Sequence, residues 1–155
     1  MIQYSNNRKI MNATKTVMYG KEFKSKLEAR VYQYLKERGY NPFYEYKPFS
    51  LVKGLKPNKC IFYSSANKKK VFKQETTALR DITYTPDFTL FEFDYPVYVE
   101  VKGITNDVYP VKRKMFRILL ESFDTKCYFF EVRTLKDVNK MLEILKTEKD
   151  NEIVN

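Results

Sequence analysis

The chain has 155 residues and carries 29 Lys and Arg residues against 19 Asp and Glu residues, which leaves a net charge of +10. This balance favours a polyanionic partner, and nucleic acid before an acidic membrane surface. The sequence contains no histidine, so His-based nucleases, Ser-His-Asp and Cys-His hydrolases and His-ligated metal sites are excluded in their ordinary forms. Its two cysteines are too few for a four-ligand zinc site.

The length and the hydrophobic fraction of 43% predict one domain, 1–155, with three segments that stand apart from its core. Residues 1–16 are polar and are expected to form an arm. Residues from about 53 to 79 form a basic insertion, and residues from about 149 onwards form a frayed tail. No apolar run approaches membrane-spanning length and no secretory signal is recognised, so we expect a reducing, cytoplasmic location.

The first predicted helix follows a short strand at residues 17–19. Ser25 is a candidate N-cap and Glu28 lies three residues later, which is the spacing of a capping box. The apolar stripe of this helix predicts packing against a sheet and comprises Leu27, Val31, Tyr34 and Leu35. Because Glu28 borders the stripe, its carboxylate has two candidate roles, as a helix cap or as an acid that reaches over the sheet.

Residues 44–51 alternate as a strand, and the basic insertion follows them. Glu45 is expected to form a surface ion pair rather than to join a site. The insertion is predicted to be a hairpin whose tip carries Lys68, Lys69 and Lys70. These lysines, mixed with Tyr63 and Phe72, either hold a phosphate backbone and an unpaired base or serve as a solubilising loop.

Two strands with charged residues lie at the centre of the chain. Residues 97–102 alternate valine with larger or charged side chains, so Glu100 and Lys102 share one face, about 7 Å apart. Residues 82–91 are rich in Thr, Tyr, Ile and Phe and also predict a strand. The short link between the two segments predicts an antiparallel hairpin.

The register of this hairpin decides whether two carboxylates meet. A turn centred on Phe93 and Asp94 places Asp87 directly opposite Glu100, with Cβ atoms about 5 Å apart. Two carboxylates this close repel each other, so a divalent ion such as Mg²⁺ is expected to neutralise them. Lys102 then supplies a positive charge that orients an attacking water or stabilises charge on a phosphate. The alternative is an ion-pair cluster on an exposed sheet face.

Two further helices are predicted in the last third of the chain. One opens at Pro110 and runs through Phe123, with a buried stripe of Val111, Met115, Ile118 and Leu119. Cations crowd its first two turns, where the helix dipole disfavours them, which indicates either nearby phosphates or a solvated face. These cations are Lys112, Arg113, Lys114 and Arg117. The last helix begins at Thr134-x-x-Asp137, and its apolar face extends from Leu135 to Leu145.

Pro86-Asp87 and Glu100-Val101-Lys102, with 12 residues between them, resemble the PD-(D/E)xK nuclease motif. The similarity extends upstream through residues 23–30, which include Glu28, and downstream through residues 102–116. Over residues 17–132 the chain resembles a group of small uncharacterised phage-borne nucleases in that superfamily. More loosely, it resembles the phage-type Holliday junction resolvases and the transposase-associated endonucleases.

The order of elements predicts an α+β domain in which a central mixed β-sheet is flanked by helices. The resemblance implies that this is a restriction-endonuclease-like (PD-(D/E)xK) core in a protein of a bacterial or phage-infected cell. It also implies a Mg²⁺-dependent DNA endonuclease, with Mn²⁺ as a substitute, that acts on branched or Holliday junction DNA. The implied metal ligands are Glu28, Asp87, Glu100 and the carbonyl of Val101, and Lys102 is the implied catalytic lysine.

A junction is cut on two strands, so a homodimer is expected, with the last helix or the arm as its candidate surface. Core packing of that helix is the alternative. Three other functions stay open at this point. They are a non-catalytic nucleic-acid-binding protein on the same fold, a single-strand DNA or RNA nuclease, and a structural or partner-binding protein.

Overall fold

The computed structural model describes residues 15–65, 71–103 and 107–154. Its helices are α1 (Lys26–Lys36), α2 (Tyr109–Glu121) and α3 (Leu135–Val154). Its first five strands are β1 (Thr16–Met18), β2 (Lys21–Phe23), β3 (Phe43–Tyr44), β4 (Phe49–Val52) and β5 (Phe62–Ser65). The later strands are β6 (Phe72–Glu75), β7 (Ile82–Tyr84), β8 (Phe88–Leu90), β9 (Val97–Val101) and β10 (Tyr128–Val132).

Four strands form a mixed sheet in the order β10-β9-β8-β3. β9 runs parallel to β10 and antiparallel to β8, and β8 is antiparallel to the edge strand β3. Three further strand pairs, β1 with β2, β4 with β7 and β5 with β6, are antiparallel ladders of two strands each. The fold is therefore α+β with a mixed sheet and flanking helices, as the sequence predicted.

β8 and β9 pair in the predicted register. Phe88 lies opposite Val99 and Leu90 lies opposite Val97, so the numbers of each pair sum to 187. Continuing this register by one residue places Asp87 opposite Glu100, and the N–H of the next residue, Val101, donates to Asp87 Oδ2 at 2.7 Å. The predicted hairpin register is confirmed.

The sheet separates two apolar layers. The alternate valines of β9, at positions 97, 99 and 101, point into the larger layer, which α1 and α3 cover. Tyr98 points to the other side, where it packs with α2. All five residues of β9 are buried, so both faces of the central strand are covered. The alternation was predicted, but the face that carries Glu100 is a second packed layer rather than an open surface.

The buried face of α2 differs from the prediction. Its buried residues are Tyr109, Phe116 and Leu120. Val111 and Ile118 are 59% and 66% exposed, so these two residues of the predicted stripe are wrong, whereas Met115 is half-buried and Leu119 packs against the layer beneath α2. The sheet surface beneath α2 is aromatic, and Phe116 fills it, with ring centroids 4.6 Å from Tyr84 and 5.7 Å from Tyr98.

Two predicted strands are interrupted beside the paired carboxylates. Residues 44–51 divide into β3 and β4, because Glu45 adopts a left-handed conformation with φ of 45°. Residues 82–91 divide into β7 and β8, and β7 pairs with β4 instead of extending the central ladder. Pro86 lies at that division, where a residue without an N–H cannot continue a central ladder. Asp87 therefore lies at the end of its strand, where the ladder is not continued.

The helix ends follow their sequence signals. Ser25 caps α1, and its hydroxyl accepts the N–H of Glu28 at 3.2 Å. Gly39 follows α1 in the left-handed region, with φ of 84°. At the start of α3, Thr134 and Asp137 cap the helix reciprocally.

The outer segments agree in part with their predictions. The basic insertion forms the predicted hairpin, β5 with β6, but its tip with Lys68, Lys69 and Lys70 lies outside the described residues. Residues 1–14 of the arm also lie outside them. α3 continues to Val154, past the point where the tail was expected to fray. Within the described ranges, no helix is both long and apolar enough to cross a membrane.

The corrected face of α2 gives a stability prediction. Phe116 is fully buried, so Phe116→Ala should lower the free energy of unfolding by about 3–5 kcal/mol. Ile118→Ala, two residues away on the exposed side, should change it by no more than about 0.5 kcal/mol. Urea unfolding of both variants measures the difference. Equal losses of the free energy of unfolding in the two variants would mean that α2 also packs through the predicted face that includes Ile118.

Candidate active site

Asp87 and Glu100 lie opposite each other at the ends of their strands, and the structure brings Lys102 to the same place. Glu100 is buried, and its Oε1 lies 2.5 Å from the Lys102 ammonium. The Tyr84 hydroxyl donates to Glu100 Oε2 at 2.6 Å. Asp87 Oδ2 accepts the N–H of Val101 at 2.7 Å. Three of the predicted site residues therefore form one cluster.

The electrostatics of Asp87 indicate that this cluster lacks positive charge. Burial and the neighbouring charge of Glu100 raise the pKa of Asp87 to about 8, and the charge of Glu28 adds to the rise. The Val101 N–H and the charge of Lys102 act in the opposite direction but do not offset it. Lys102 is in contact with Glu100, and Lys24, which is paired with Glu45, also lies close enough to interact with the charges of Asp87 and Glu28. A further cation would favour the ionised form of Asp87.

Glu28 is buried at the first turn of α1, where it acts as a cap. Its carboxylate accepts hydrogen bonds from the Ser25 hydroxyl at 2.7 Å, the Tyr44 hydroxyl at 2.7 Å and the Lys24 N–H at 3.1 Å. The capping role that the sequence allowed is therefore present. The ligand role stays a prediction, although the charge of Glu28 is close enough to act on Asp87.

Glu45 belongs to the rim of the site rather than to its centre. Its carboxylate forms an ion pair with Lys24, as predicted. Its backbone N–H donates to the carbonyl of Asp87 at 2.9 Å. Glu45 therefore helps to fix the backbone of Asp87, while its own charge is matched by a lysine.

A second charged group lies beside the first and was missed by the sequence analysis. Glu131 on β10 lies opposite Glu100 on β9 and accepts hydrogen bonds from Tyr109, Arg113 and Arg133 at 2.7–2.9 Å. Burial acts to raise the pKa of Glu131, but these bonds outweigh it and lower the pKa below its ordinary value. The sequence feature that could have indicated Glu131 is a glutamate inside an otherwise apolar strand, and this glutamate pairs in register with Glu100.

Tyr109 links the two charged groups. Its ring lies 4.1 Å from the Lys102 ammonium, and its hydroxyl donates to Glu131 at 2.9 Å. Burial and the hydrogen bond to Glu131 raise the pKa of Tyr109, so its hydroxyl remains a donor. Lys102 is thus held between the ring of Tyr109 and the carboxylate of Glu100.

The four cations of α2 do not share one environment. Lys112 donates to the carbonyl of Thr83 at 2.9 Å, and Arg113 is paired with Glu131. Lys114 and Arg117 are exposed on the outer side of the helix. Lys114 and Arg117 are therefore the most exposed of the four, although the Arg113 side chain is also 42% exposed, and binding of nucleic acid by this helix stays a prediction.

The donor set fits a hard divalent ion in its chemistry. Among the described residues, no group of three or more cysteine, aspartate or glutamate side chains is arranged to hold a metal ion as it stands. The carboxylates instead point at protein donors, Glu100 at Lys102 and Glu28 at hydroxyls. Excess negative charge and oxygen-only ligands are the features that Mg²⁺ requires. Both cysteines are free.

The fold and the site together define an α+β protein with a paired-carboxylate site on a mixed sheet. Residues 8–139 match the family described as "Protein of unknown function (DUF1064)", and the chain belongs to that family. No curated protein and no solved structure matches the chain. The description of this family names no activity.

The raised pKa of Asp87 predicts how stability changes with pH in the presence of a chelator. The folded state holds the proton of Asp87 more tightly than the unfolded state, in which the pKa is about 3.9. Its contribution is therefore complete at acid pH and is lost as the pH rises from about 4 to about 8. Urea unfolding should show stability falling across this window.

The variant Asp87→Asn should remove this part of the pH dependence and should be more stable than the wild type at pH 8. Asp124→Asn deletes the same charge from an exposed position and serves as the matched control. Parallel pH profiles for the wild type and Asp87→Asn would show that the carboxylates do not repel each other.

Proposed function

We propose that the chain is a Mg²⁺-dependent DNA endonuclease on a restriction-endonuclease-like core, with Mn²⁺ as an alternative ion. The observation that carries the proposal is the placement of Asp87 opposite Glu100, with Lys102 on the same face at 2.5 Å from Glu100. The resemblance of these residues to the PD-(D/E)xK motif supports the same reaction. The mixed sheet, with α1 and α3 on one face and α2 on the other, is compatible with such a core.

Four groups would hold the ion, namely the carboxylates of Glu28, Asp87 and Glu100 and the main-chain carbonyl of Val101. When bound, a divalent ion supplies positive charge to the phosphate and makes a water more acidic. The raised pKa of Asp87 supports this assignment, because two carboxylates without a neighbouring metal ion bind a proton, which supplies the positive charge that the ion would otherwise supply. Glu28 would have to release hydroxyl partners in order to join.

The protein's own residues account for the orientation of the site. The Tyr84 hydroxyl fixes one oxygen of Glu100, and the Val101 N–H fixes one oxygen of Asp87. Lys102 would place its ammonium beside the reacting phosphate, where it orients the attacking water or stabilises the extra charge on the phosphate. Tyr109 limits the movement of Lys102. Each group is therefore oriented before a substrate arrives.

DNA is the proposed substrate because the chain carries a net charge of +10 and exposes Lys114 and Arg117 on α2. Branched or junction DNA is proposed from the family resemblance. Two cuts in a junction favour a homodimer, but the apolar face of α3 is buried in the core and is not available as its surface. A dimer would therefore use another surface.

The proposal predicts the loss of cleavage in three single variants. Lys102→Ala, Asp87→Asn and Glu100→Gln should each reduce Mg²⁺-dependent cleavage at least about 100-fold, because each removes a charge at the reacting phosphate. The substrates are duplex, nicked, flap, four-way junction and single-stranded DNA, with single-stranded RNA beside them. Glu143→Gln changes an exposed carboxylate on α3 and should leave the rate unchanged.

Glu28→Gln separates the two roles of Glu28 in the same assay. Glutamine keeps one accepting oxygen, and its amide N–H can donate to the hydroxyl that faces the other position, so the cap can persist, but glutamine is a poor Mg²⁺ ligand. Lost cleavage with an unchanged melting temperature assigns Glu28 to the ion, whereas unchanged cleavage assigns it to the cap. Near-normal cleavage by any of the three central variants would contradict the nuclease proposal.

The exposed cations of α2 give a prediction for binding. The double variant Lys114→Ala/Arg117→Ala should reduce the slope of log K against log salt by roughly 0.7 to 0.9 for each phosphate that the variant no longer neutralises. Lys136→Ala/Lys140→Ala removes two exposed lysines from α3, on the other side of the sheet, and should leave the slope unchanged. Fluorescence anisotropy at several salt concentrations measures both. Equal slopes for the two double variants would show that Lys114 and Arg117 stay in solvent and do not contact the phosphates of the DNA.

A further inference from the structure

Three half-exposed aromatic rings form a closed triangle at the edge of the central sheet. Phe43, Tyr46 and Phe91 are 46%, 50% and 46% exposed. Their ring centroids lie 5.2–5.5 Å apart, and all three pairs meet edge to face at 69–75°. Each ring is held by the two others, so this aromatic platform keeps its shape while about half of its surface meets solvent.

The aromatic platform lies on the sheet face that carries the paired carboxylates. Phe43 lies opposite Thr89, and Thr89 lies opposite Tyr98, which points to the same side as Glu100. Side chains alternate along a strand, so Phe91, two residues after Thr89, points to the same side as Thr89. The platform therefore begins about 7 Å from Asp87 along the strand and extends to about 13 Å. At a rise of 3.4 Å this is about two to four base steps.

The backbone ties the platform to the site as well. Tyr46 follows Glu45 directly, and the Glu45 N–H donates to the carbonyl of Asp87 at 2.9 Å. β3, which carries Phe43, is the edge strand beside β8. A molecule held at Asp87 and a molecule stacked on these rings would thus be positioned by the same short segments of chain.

The charges around the aromatic platform favour a ligand that carries phosphate. The Lys47 ammonium lies 5.9 Å from the centre of the Tyr46 ring and 5.5 Å from that of Phe49. The two neighbouring glutamates are engaged, Glu45 with Lys24 and Glu92 with backbone N–H groups. An exposed ring face, supported by two rings packed edge to face against it and with a cation nearby, fits a nucleobase and its phosphate.

We propose that the aromatic platform is a stacking subsite for an unpaired base, a few nucleotides from the phosphate that is cut. The position of the cut rests on the proposed nuclease function, but the binding of the base does not. A fully paired duplex keeps its bases stacked inside and offers none to the platform. The substrate class is therefore DNA with an unpaired nucleotide beside the cleavage position, such as a flap, a branch point or an overhang.

The test measures binding in a chelator, so that no cleavage occurs. The probes are a labelled duplex with a single-stranded overhang and the same DNA with each overhang base replaced in turn by an abasic residue. Loss of the stacked base should weaken binding by the wild type about 5- to 150-fold at one position of the overhang. The salt slope should not change, because every phosphate is retained.

The variants Tyr46→Leu and Phe91→Leu should bind the intact overhang as weakly as the wild type binds the abasic one, and should no longer distinguish the two. Tyr19→Leu replaces another exposed ring, 62% exposed, just after β1 and outside both candidate sites, and should keep the wild-type preference. Removing the base and the aromatic ring singly and together is a double-mutant cycle, which separates direct stacking from indirect effects on binding. If the leucine variants fail to fold, the abasic series with the wild type decides alone.

Equal affinity of the wild type for the intact and every abasic overhang would overturn the inference. So would leucine variants that fold and still respond to the abasic residue. Cleavage without base discrimination would remove this inference and leave the nuclease proposal standing. Base discrimination without cleavage would do the reverse, and the absence of DNA binding would remove both.

Discussion

The repulsion between Asp87 and Glu100 is the constraint around which the site is arranged. The β8–β9 ladder forces the two residues to face each other, and the valines of β9 fix that ladder from the opposite side. A shift of one residue would turn those valines away from α1 and α3, so the apolar layer holds the carboxylates together. The stability of the core thus maintains an unfavourable contact, which is the usual condition of a binding or reactive site.

The surrounding groups hold this contact and relieve it only in part. Tyr84 and the Val101 N–H each fix one oxygen of the pair, and Lys102 supplies the one ammonium in contact with it. Glu131, by contrast, is paired with two arginines and a tyrosine and keeps a lowered pKa. Two glutamates on adjacent strands therefore differ in role. Glu131 is paired and accepts the hydrogen bond of the Tyr109 hydroxyl, whereas Glu100 lies beside Asp87 and helps to raise the pKa of that carboxyl.

The sequence predicted the elements whose signals are local. The capping residues of α1, the valine alternation of β9 and the register of the short hairpin need only neighbouring residues, and the structure agrees with each. The face of α2 was predicted only in part, because apolar residues lie on both sides of that helix. Only the aromatic surface beneath it selects Phe116 over Ile118.

The parts of the site that come from distant segments were not predicted. Glu131 joins the cluster through parallel pairing of β10 with β9, a pairing between strands that are far apart in sequence. The aromatic platform requires the break at Glu45 and the pairing of β3 with β8, which bring Phe43, Tyr46 and Phe91 together. Composition and periodicity contain no information on such contacts, so they appear only once the chain has folded.

The most direct measurement of a divalent ion site at Asp87 and Glu100 is the stabilisation of the folded protein by Mg²⁺. At pH 8, the melting temperature of the wild type should rise with Mg²⁺ concentration, with a gain of about 2.7 kcal/mol at 100 times the dissociation constant. Asp87→Asn and Glu100→Gln should start more stable or equal in a chelator and should gain little from the ion. An equal rise in the wild type and both variants, or no rise in the wild type, would contradict a divalent ion site at the paired carboxylates.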